Sequence, residues 1–296
     1  MGFLRKFFKI YFWLWFVWPL ARFFLPKFQV LGPLETLDFI IKNKKSCVRF
    51  GDGELSILRG GAGPGFQKQS DELRSSLQKV ISSTNDNMLL CVPRVLDVST
   101  LQSLTNRSQK HWKAILSKNI FYIRSMNSQV VYGDALFTRS YIETKNEELC
   151  ENVFERIKSL CAGRSLVIIE GHSTRLGVGN DLFSRATDIR RILGPARNAY
   201  TKIEDILEVA CKFPKDCLIL IALGPAAKPL VLELTQRGFQ AVDLGHADVE
   251  YEWFLRKASG KMPLPGKQVH EVRAKYDGSE QLDLTQYNKE VMIRIE

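Results

Sequence analysis

Val48-Arg49-Phe50-Gly51-Asp52-Gly53-Glu54 closes a short apolar run that begins at Cys47, and Leu55-Ser56-Ile57-Leu58 follows with helical character. An apolar run, a Gly-Asp-Gly-Glu turn and a helix start outline the corner where a strand hands over to a helix. In open α/β sheets that corner, at the carboxyl end of a strand, is where ligands sit. Two glycines let the backbone turn sharply. Two carboxylates one residue apart can then converge on a hard divalent cation that also holds phosphate oxygens. The alternative is a solvated acidic turn that caps the helix.

Downstream, apolar runs and amphipathic stretches alternate. Ser70–Ser82 reads as a helix with Leu73, Leu77 and Val80 on one face, and Met88–Val92 as a strand. Leu101–Leu116 reads as a helix, Ile120–Ile123 as a strand, and Ala135–Tyr141 shows no clear period. Glu147–Leu160 is amphipathic, Ser165–Ile169 a buried strand and Asp181–Ile192 helical. Ile203–Cys211 is helical, Cys217–Leu223 a strand, and Gly224-Pro225 opens a helix to Gln236 before the strand Gln240–Leu244. Near-continuous apolar strands separated by helices predict an α/β fold, Rossmann-like, with a mostly parallel sheet covered by helices on both faces. The glycine-rich stretch Gly60–Gly65 suggests a lid or binding loop.

Three regions are expected. Residues 1–28 form a hydrophobic, basic, membrane-associating segment; residues 29–267 form the main domain, with a linker at 29–34; residues 268–296 form a polar tail. Ile10–Ala21 carries no charge, while Arg5, Lys6, Lys9, Arg22 and Lys27 flank it with no acid before Glu35. These five supply half of the net charge of +10. The run is short for a span of roughly 20 residues, and its Trp and Phe suit the headgroup region. An interfacial anchor and a short signal-anchor both fit, ahead of a buried terminal helix, and the domain is expected on the cytoplasmic side of a membrane. The six cysteines form no CxxC and read as buried thiols of a reducing compartment. The remaining basic excess lacks the aromatic interleaving of a nucleic-acid surface, so no nucleic-acid partner is expected.

Glu170-Gly171-His172-Ser173-Thr174-Arg175-Leu176-Gly177-Val178-Gly179-Asn180-Asp181 comes after a strand and is read as opening a helix. Gly177 and Gly179 permit close backbone approach, and the amides with Arg175 would favour an anion. Glu170, Asn180 and Asp181 join this group, unless Asn180 or Asp181 merely caps the helix. His246, Asp248, Glu250 and Glu252 crowd the turn after the last strand. Asp248 and Glu250 are the candidates for moving a proton, and Glu252 reads as a helix-start acid. Gly51, Arg139, Gly224 and His246 complete the expected nucleotide-binding set, with Lys68 as a further candidate cation. An oxidoreductase or methyltransferase on the same fold is disfavoured by the lack of GxGxxG. A membrane-tethered scaffold for glycan assembly is the non-catalytic alternative.

Arg49-Phe50-Gly51-Asp52-Gly53-Glu54, Ser173–Phe183, Ala222-Leu223-Gly224-Pro225 and Asp243–Phe254, in this order, resemble the GT-D-fold glycosyltransferases, a family once classed as a domain of unknown function. The resemblance runs from about Phe39 to Lys267. It implies a Rossmann-like single domain, a nucleotide-sugar donor such as a UDP-sugar, and Mn2+ or Mg2+ as cofactor. It implies that Asp52 and Glu54, the Asp-x-Glu pair, serve the metal and the donor diphosphate. His172-Ser173-Thr174 departs from the family pattern, and the amino-terminal aromatic segment lies outside it. The enzyme so expected is a hexosyltransferase acting on a glycan, glycoprotein or lipid-linked acceptor at a membrane surface, as in polysaccharide biosynthesis.

Overall fold

The computed structural model describes residues 12–144, 146–272, 274 and 276–296. Arg5, Lys6 and Lys9 lie outside the described residues, as does the start of the apolar run. Strands are β1 (Gln29–Val30), β2 (Ser46–Arg49), β3 (Met88–Val92), β4 (Val131–Asp134), β5 (Ser165–Gly171), β6 (Asp188–Gly194), β7 (Leu218–Ala222), β8 (Gln240–Asp243) and β9 (Val291–Arg294). Among the described residues they form one sheet, in the order β1-β4-β3-β2-β8-β7-β5-β6-β9. Each pairing is parallel.

Helices are α1 (Trp18–Phe24), α2 (Pro33–Asn43), α3 (Asp52–Leu58), α4 (Asp71–Ile81), α5 (Asn106–Lys118), α6 (Ile120–Ser125) and α7 (Ser140–Glu143). Then come α8 (Glu147–Cys161), α9 (Ile203–Ala210), α10 (Ala227–Gln236), α11 (Ala247–Leu255) and α12 (Thr285–Glu290). Side-chain oxygens begin several of them. Ser70 accepts from the Leu73 amide at 3.2 Å and Asn146 from the Leu149 amide at 2.9 Å, satisfying donors that a first turn leaves free.

The period-two alternation of the strands divides the core. Val48, Val167, Ile169, Ile219 and Ile221 pack on one face with Leu73 and Leu77 of α4 and Leu230 of α10. Cys47, Leu166, Ile168, Leu218 and Leu220 pack on the other with Leu37 of α2 and Phe154 of α8. Both faces are therefore apolar, as a covered parallel sheet requires. All six cysteines are free, and only Cys211 is not buried.

Three local expectations change. Ile120–Ile123 is helical, and the strand position beside β3 belongs to β4, whose Val-Tyr-Gly-Asp is too short and polar to stand out. Asp181–Ile192 is not a helix. It is a run of turns that leads into β6, which pairs with β5 from Ser165↔Asp188 to Gly171↔Gly194. Ile189, Ile192 and Leu193 mimic helical spacing, but pairing along the whole of β5 prevails. Finally, residues read as linker and tail complete the sheet: Gln29–Val30 and Val291–Arg294 are its two edge strands.

Candidate active site

Because the sheet is parallel, the turns after β2, β4, β7 and β8 leave on one edge, and the polar residues of the chain converge there. Arg49, the last residue of β2, reaches across to β8. Its Nε donates to the Asp243 carbonyl at 2.7 Å and its Nη2 to Asp243 Oδ1 at 3.0 Å. Its Nη1 donates to the Ala135 carbonyl at 3.2 Å and to Thr138 Oγ1, tying in the exit of β4. Lys228, in the first turn of α10, lies between two acids, with Nζ 2.9 Å from Glu54 Oε1 and 3.0 Å from Asp243 Oδ2. All of these side chains are buried or nearly so. Burial alone would raise the Asp243 carboxyl, but the charges of Arg49 and Lys228 hold it below the usual carboxylate range. Burial would likewise lower Lys228, and Asp243 and Glu54 keep it above the usual ammonium range. Two cations and two carboxylates thus form a neutral, buried frame under the site.

Gly245 must be glycine for this frame to close. Its φ is +47°, and a Cβ there would stand 2.0 Å from Arg49 Nη2. Gly224, at φ +55°, lies under the Phe66 ring, 2.5 Å from where its Cβ would be. The glycine-rich loop carrying Phe66 is tied down. Asn198 donates its amide to the Phe66 carbonyl at 2.9 Å, and Asn198 Oδ1 accepts from the Lys68 amide at 2.7 Å. Phe66 stacks on His270, centroids 4.3 Å apart.

The paired acids of the first turn separate. Glu54 faces inward, its Oε2 accepting from the Gly51 amide at 2.9 Å while Oε1 meets Lys228. Asp52 faces outward, half-exposed, with Oδ2 3.2 Å from His111 Nε2 of α5. Partial burial opposes its charge, but His111 and, farther off, Arg139 hold the Asp52 carboxyl below the usual range. Among the described residues no group of three or more His, Cys, Asp or Glu stands ready to hold a metal ion. Mg2+ and its like, however, are commonly held by one or two carboxylates plus substrate phosphates. By that measure the donor set fits through Asp52, with the His111 imidazole beside it, whereas Glu54 is engaged by Lys228.

Arg139 is the second feature of the rim. It pairs with Glu271, which also takes Lys261. Burial opposes the charge of Glu271, yet Arg139 holds its carboxyl far below the ordinary range. His246 lies in the same group; burial and the neighbouring Arg139 push it down to about 3, so the imidazole is neutral.

The two expected proton carriers are buried, Glu250 within the field of Arg139. Asp248 accepts from Asn180 Nδ2 at 2.7 Å and Lys267 Nζ at 2.6 Å, and Asn180 also donates to Glu252 at 2.7 Å. Glu250 is fully buried. Its Oε2 accepts from the Ile142 amide at 2.9 Å, and Oε1 has no hydrogen bond among the described residues. Burial pushes its carboxyl up to about 7. Neither group reaches solvent, so neither is placed in this arrangement to take a proton from an acceptor.

The Gly177–Asn180 loop opens no helix, so the anion cradle expected of a helix N-terminus is not formed there. Glu170 is buried beneath it, joined to Arg191 Nη1 at 2.8 Å and to the Leu176 amide at 2.7 Å. Arg175, at φ +52°, donates to the Gly266 carbonyl. Asp181 meets Lys158 Nζ at 2.7 Å. These residues shape the loop and bind it to α8, α11 and the 264–268 segment. Gly51, Asp52, Arg139, Gly224 and His246 do converge at the strand ends.

Sequence reasoning missed Lys228, His111 and Glu271. Lys228 had a signal: a single cation between Ala226-Ala227 and Pro229-Leu230-Val231, an apolar context in which lysine needs a buried partner. His111 and Glu271 had none, since only the fold brings them to the rim.

The model of the family described as glycosyltransferase GT-D fold matches residues 47–272. The chain belongs to that family. A solved structure described as a highly conserved domain of unknown function with a distinct glycosyltransferase fold superimposes with a TM-score of 0.86 at 34% identity, covering 93% of this chain and 98% of that one. A structure described as a new glycosyltransferase from Streptococcus sanguinis gives a TM-score of 0.84 at 33% identity, covering 91% and 100%. Among curated proteins, glycosyltransferase GlyD of Streptococcus pneumoniae is 35% identical over 269 residues, 90% of this chain and 32% of that protein. The protein named "Probable glycosyl transferase Gly" of Streptococcus gordonii is 36% identical over 244 residues, 82% and 35%. The chain thus matches about a third of the length of these curated relatives.

Proposed function

We propose that this GT-D-fold protein transfers a hexose from a nucleoside-diphosphate sugar, a UDP-sugar by preference, to a glycan, glycoprotein or lipid-linked acceptor at a membrane surface. The observation that carries the reading is Asp52, a half-exposed carboxylate beside His111 at the carboxyl edge of a parallel sheet, with Arg139 on the same rim. A diphosphate leaving group gains negative charge as the glycosidic bond breaks. Mn2+ or Mg2+ held by Asp52, with His111 available beside it, would supply Lewis-acid stabilisation of that charge. Arg139 brings a fixed cation whose planar fork suits phosphate oxygens. Glu271 pairs with Nη2 of that fork, so a diphosphate that used this nitrogen would displace Glu271. The buried frame of Arg49, Asp243, Lys228 and Glu54 positions the first turn of α3. Neutral His246 can accept or donate a hydrogen bond without adding charge.

The test is thermal unfolding with UDP and other nucleoside diphosphates, with and without Mn2+. At saturation near 100 times Kd, a ligand stabilises by about 2.7 kcal/mol. UDP with Mn2+ should raise the midpoint by several degrees, and Asp52→Ala should remove the metal-dependent part. A midpoint indifferent to every nucleotide would refute the reading.

A further inference from the structure

Trp15, Phe16, Leu20 and Phe23 are exposed by 71, 70, 66 and 73% on the amino-terminal helical segment, and Phe121 on α6 by 85%. The two groups adjoin. The Arg124 guanidinium lies 5.8 Å from the Phe24 ring, and Phe121 precedes Arg124 by one helical turn. Scattered exposed apolar residues are ordinary, but a contiguous aromatic face is an interaction site.

The opposite side of the segment decides what covers it. Trp18 and Ala21 of α1 are buried, and Trp18 packs with Val92, Leu116 and Ile123. The helix is thereby fixed sideways on the domain and cannot leave as a membrane span without exposing Trp18. No helix among the described residues is long and apolar enough to cross a membrane. The charges beside the aromatic face are Arg22, Lys27 and Arg124, and the sequence holds no acid before Glu35. Aromatic side chains at the headgroup level with cations beside them match an anionic bilayer surface.

We propose that α1 and α6 together form a docking face for an anionic lipid bilayer, lying in the interface rather than crossing it. The proposal rests on the transferase reading only for its purpose, the delivery of a membrane-borne acceptor. Helix α5 links face and site: it carries His111 at the rim and ends at Lys118 beside α6, about 10 Å farther along its axis. A site held this close to the headgroups is within reach of an acceptor that projects from the bilayer.

The experiment is flotation of the full chain with phosphatidylcholine vesicles, with and without phosphatidylglycerol, at low and high salt. Binding should require the anionic lipid, weaken with salt, and be reversed by alkaline carbonate. Phe121→Ser should lower vesicle partition roughly tenfold, as expected for losing one inserted aromatic ring, and Phe23→Ser similarly. Both positions are exposed, so unfolding midpoints and any nucleotide-induced shift should match the parent. Three results would overturn the proposal: unchanged partition of Phe121→Ser, retention after carbonate, or a stable dimer that buries Phe121 and ignores vesicles. A chain that floats as described but shows no nucleotide response supports the docking face and removes the transferase reading alone.

Discussion

On the first turn of α3, Asp52 and Glu54 lie about 200° apart around the helix axis. One therefore faces the rim and the other the protein. Removing them should have different consequences. Asp52→Ala loses a helix-start acid and an exposed contact with His111, which together change stability by less than about 1 kcal/mol, while activity with metal falls to background. Glu54→Ala leaves Lys228 buried beside Asp243 alone and should cost about 3 kcal/mol. Urea titration of both variants checks this; equal stability losses would mean that the buried pair with Lys228 does not form. Glu250 makes a pH prediction. Its carboxyl is raised from 4.5 to about 7 by burial. A raised acid favours the folded state while protonated, and this contribution declines as pH climbs through about 7. Glu250→Gln should flatten the stability profile between these limits, and an unaltered profile would mean that Glu250 ionises freely. The sequence disclosed the acidic corner but not its division of labour, because which acid turns inward depends on a lysine from a helix 174 residues downstream.

At the scale of elements, the loop between β5 and β6 shows where pattern reading stops. Gly177 and Gly179 mark a tight turn in the sequence, and the turn is there. The stretch beyond it carries helical spacing, since Ile189, Ile192 and Leu193 repeat at three and four residues. Strand pairing with β5 overrides that local period, and Arg191 on β6 then meets the buried Glu170. The strongly apolar strands β3, β5 and β7 were legible, since burial on both faces writes itself as an unbroken run. The short edge and near-edge strands β1 and β4 were not, for they carry too few apolar residues to be told from loops, and β9, Val-Met-Ile-Arg, was hidden by the polar stretch that precedes it. Glu170→Ala tests the assignment of Glu170 to the loop's support. Removing one partner of a buried ion pair costs about 3–5 kcal/mol, and the Leu176 amide loses its acceptor as well. Amide exchange should accelerate from about residue 173 to 180. Unchanged protection there would return Glu170 to the pool of ligand-binding candidates.

For the whole molecule, the question is where the domain ends. The chain turns polar after about Lys261, and the family resemblance ends at about Lys267, so the sequence places the boundary there. The structure carries the sheet beyond it: α12 and β9 close the edge beside β6, Glu290 Oε2 accepts from Arg191 Nε at 2.7 Å, and Tyr287 lies under the same guanidinium at 4.9 Å. Glu271 meanwhile meets Arg139 on the rim. Polarity misleads here because these acids pair with arginines that the fold encloses, Arg191 fully and Arg139 in large part. Deleting residues 268–296 should therefore act at two distances. It leaves Arg191 with Glu170 alone and opens the hydrogen-bonding edge of β6, which should lower stability by at least about 3 kcal/mol and favour association through that edge. It also takes Glu271 away from Arg139 at the site, so the truncated chain should bind a nucleoside diphosphate no more weakly than the full one once its lower stability is allowed for. Urea midpoints, light scattering and nucleotide titration on the same preparations separate these effects. A truncated chain with the full-length midpoint would make the last 29 residues a true tail, and one that folds but no longer binds would make Glu271 part of the site rather than a competitor for its arginine.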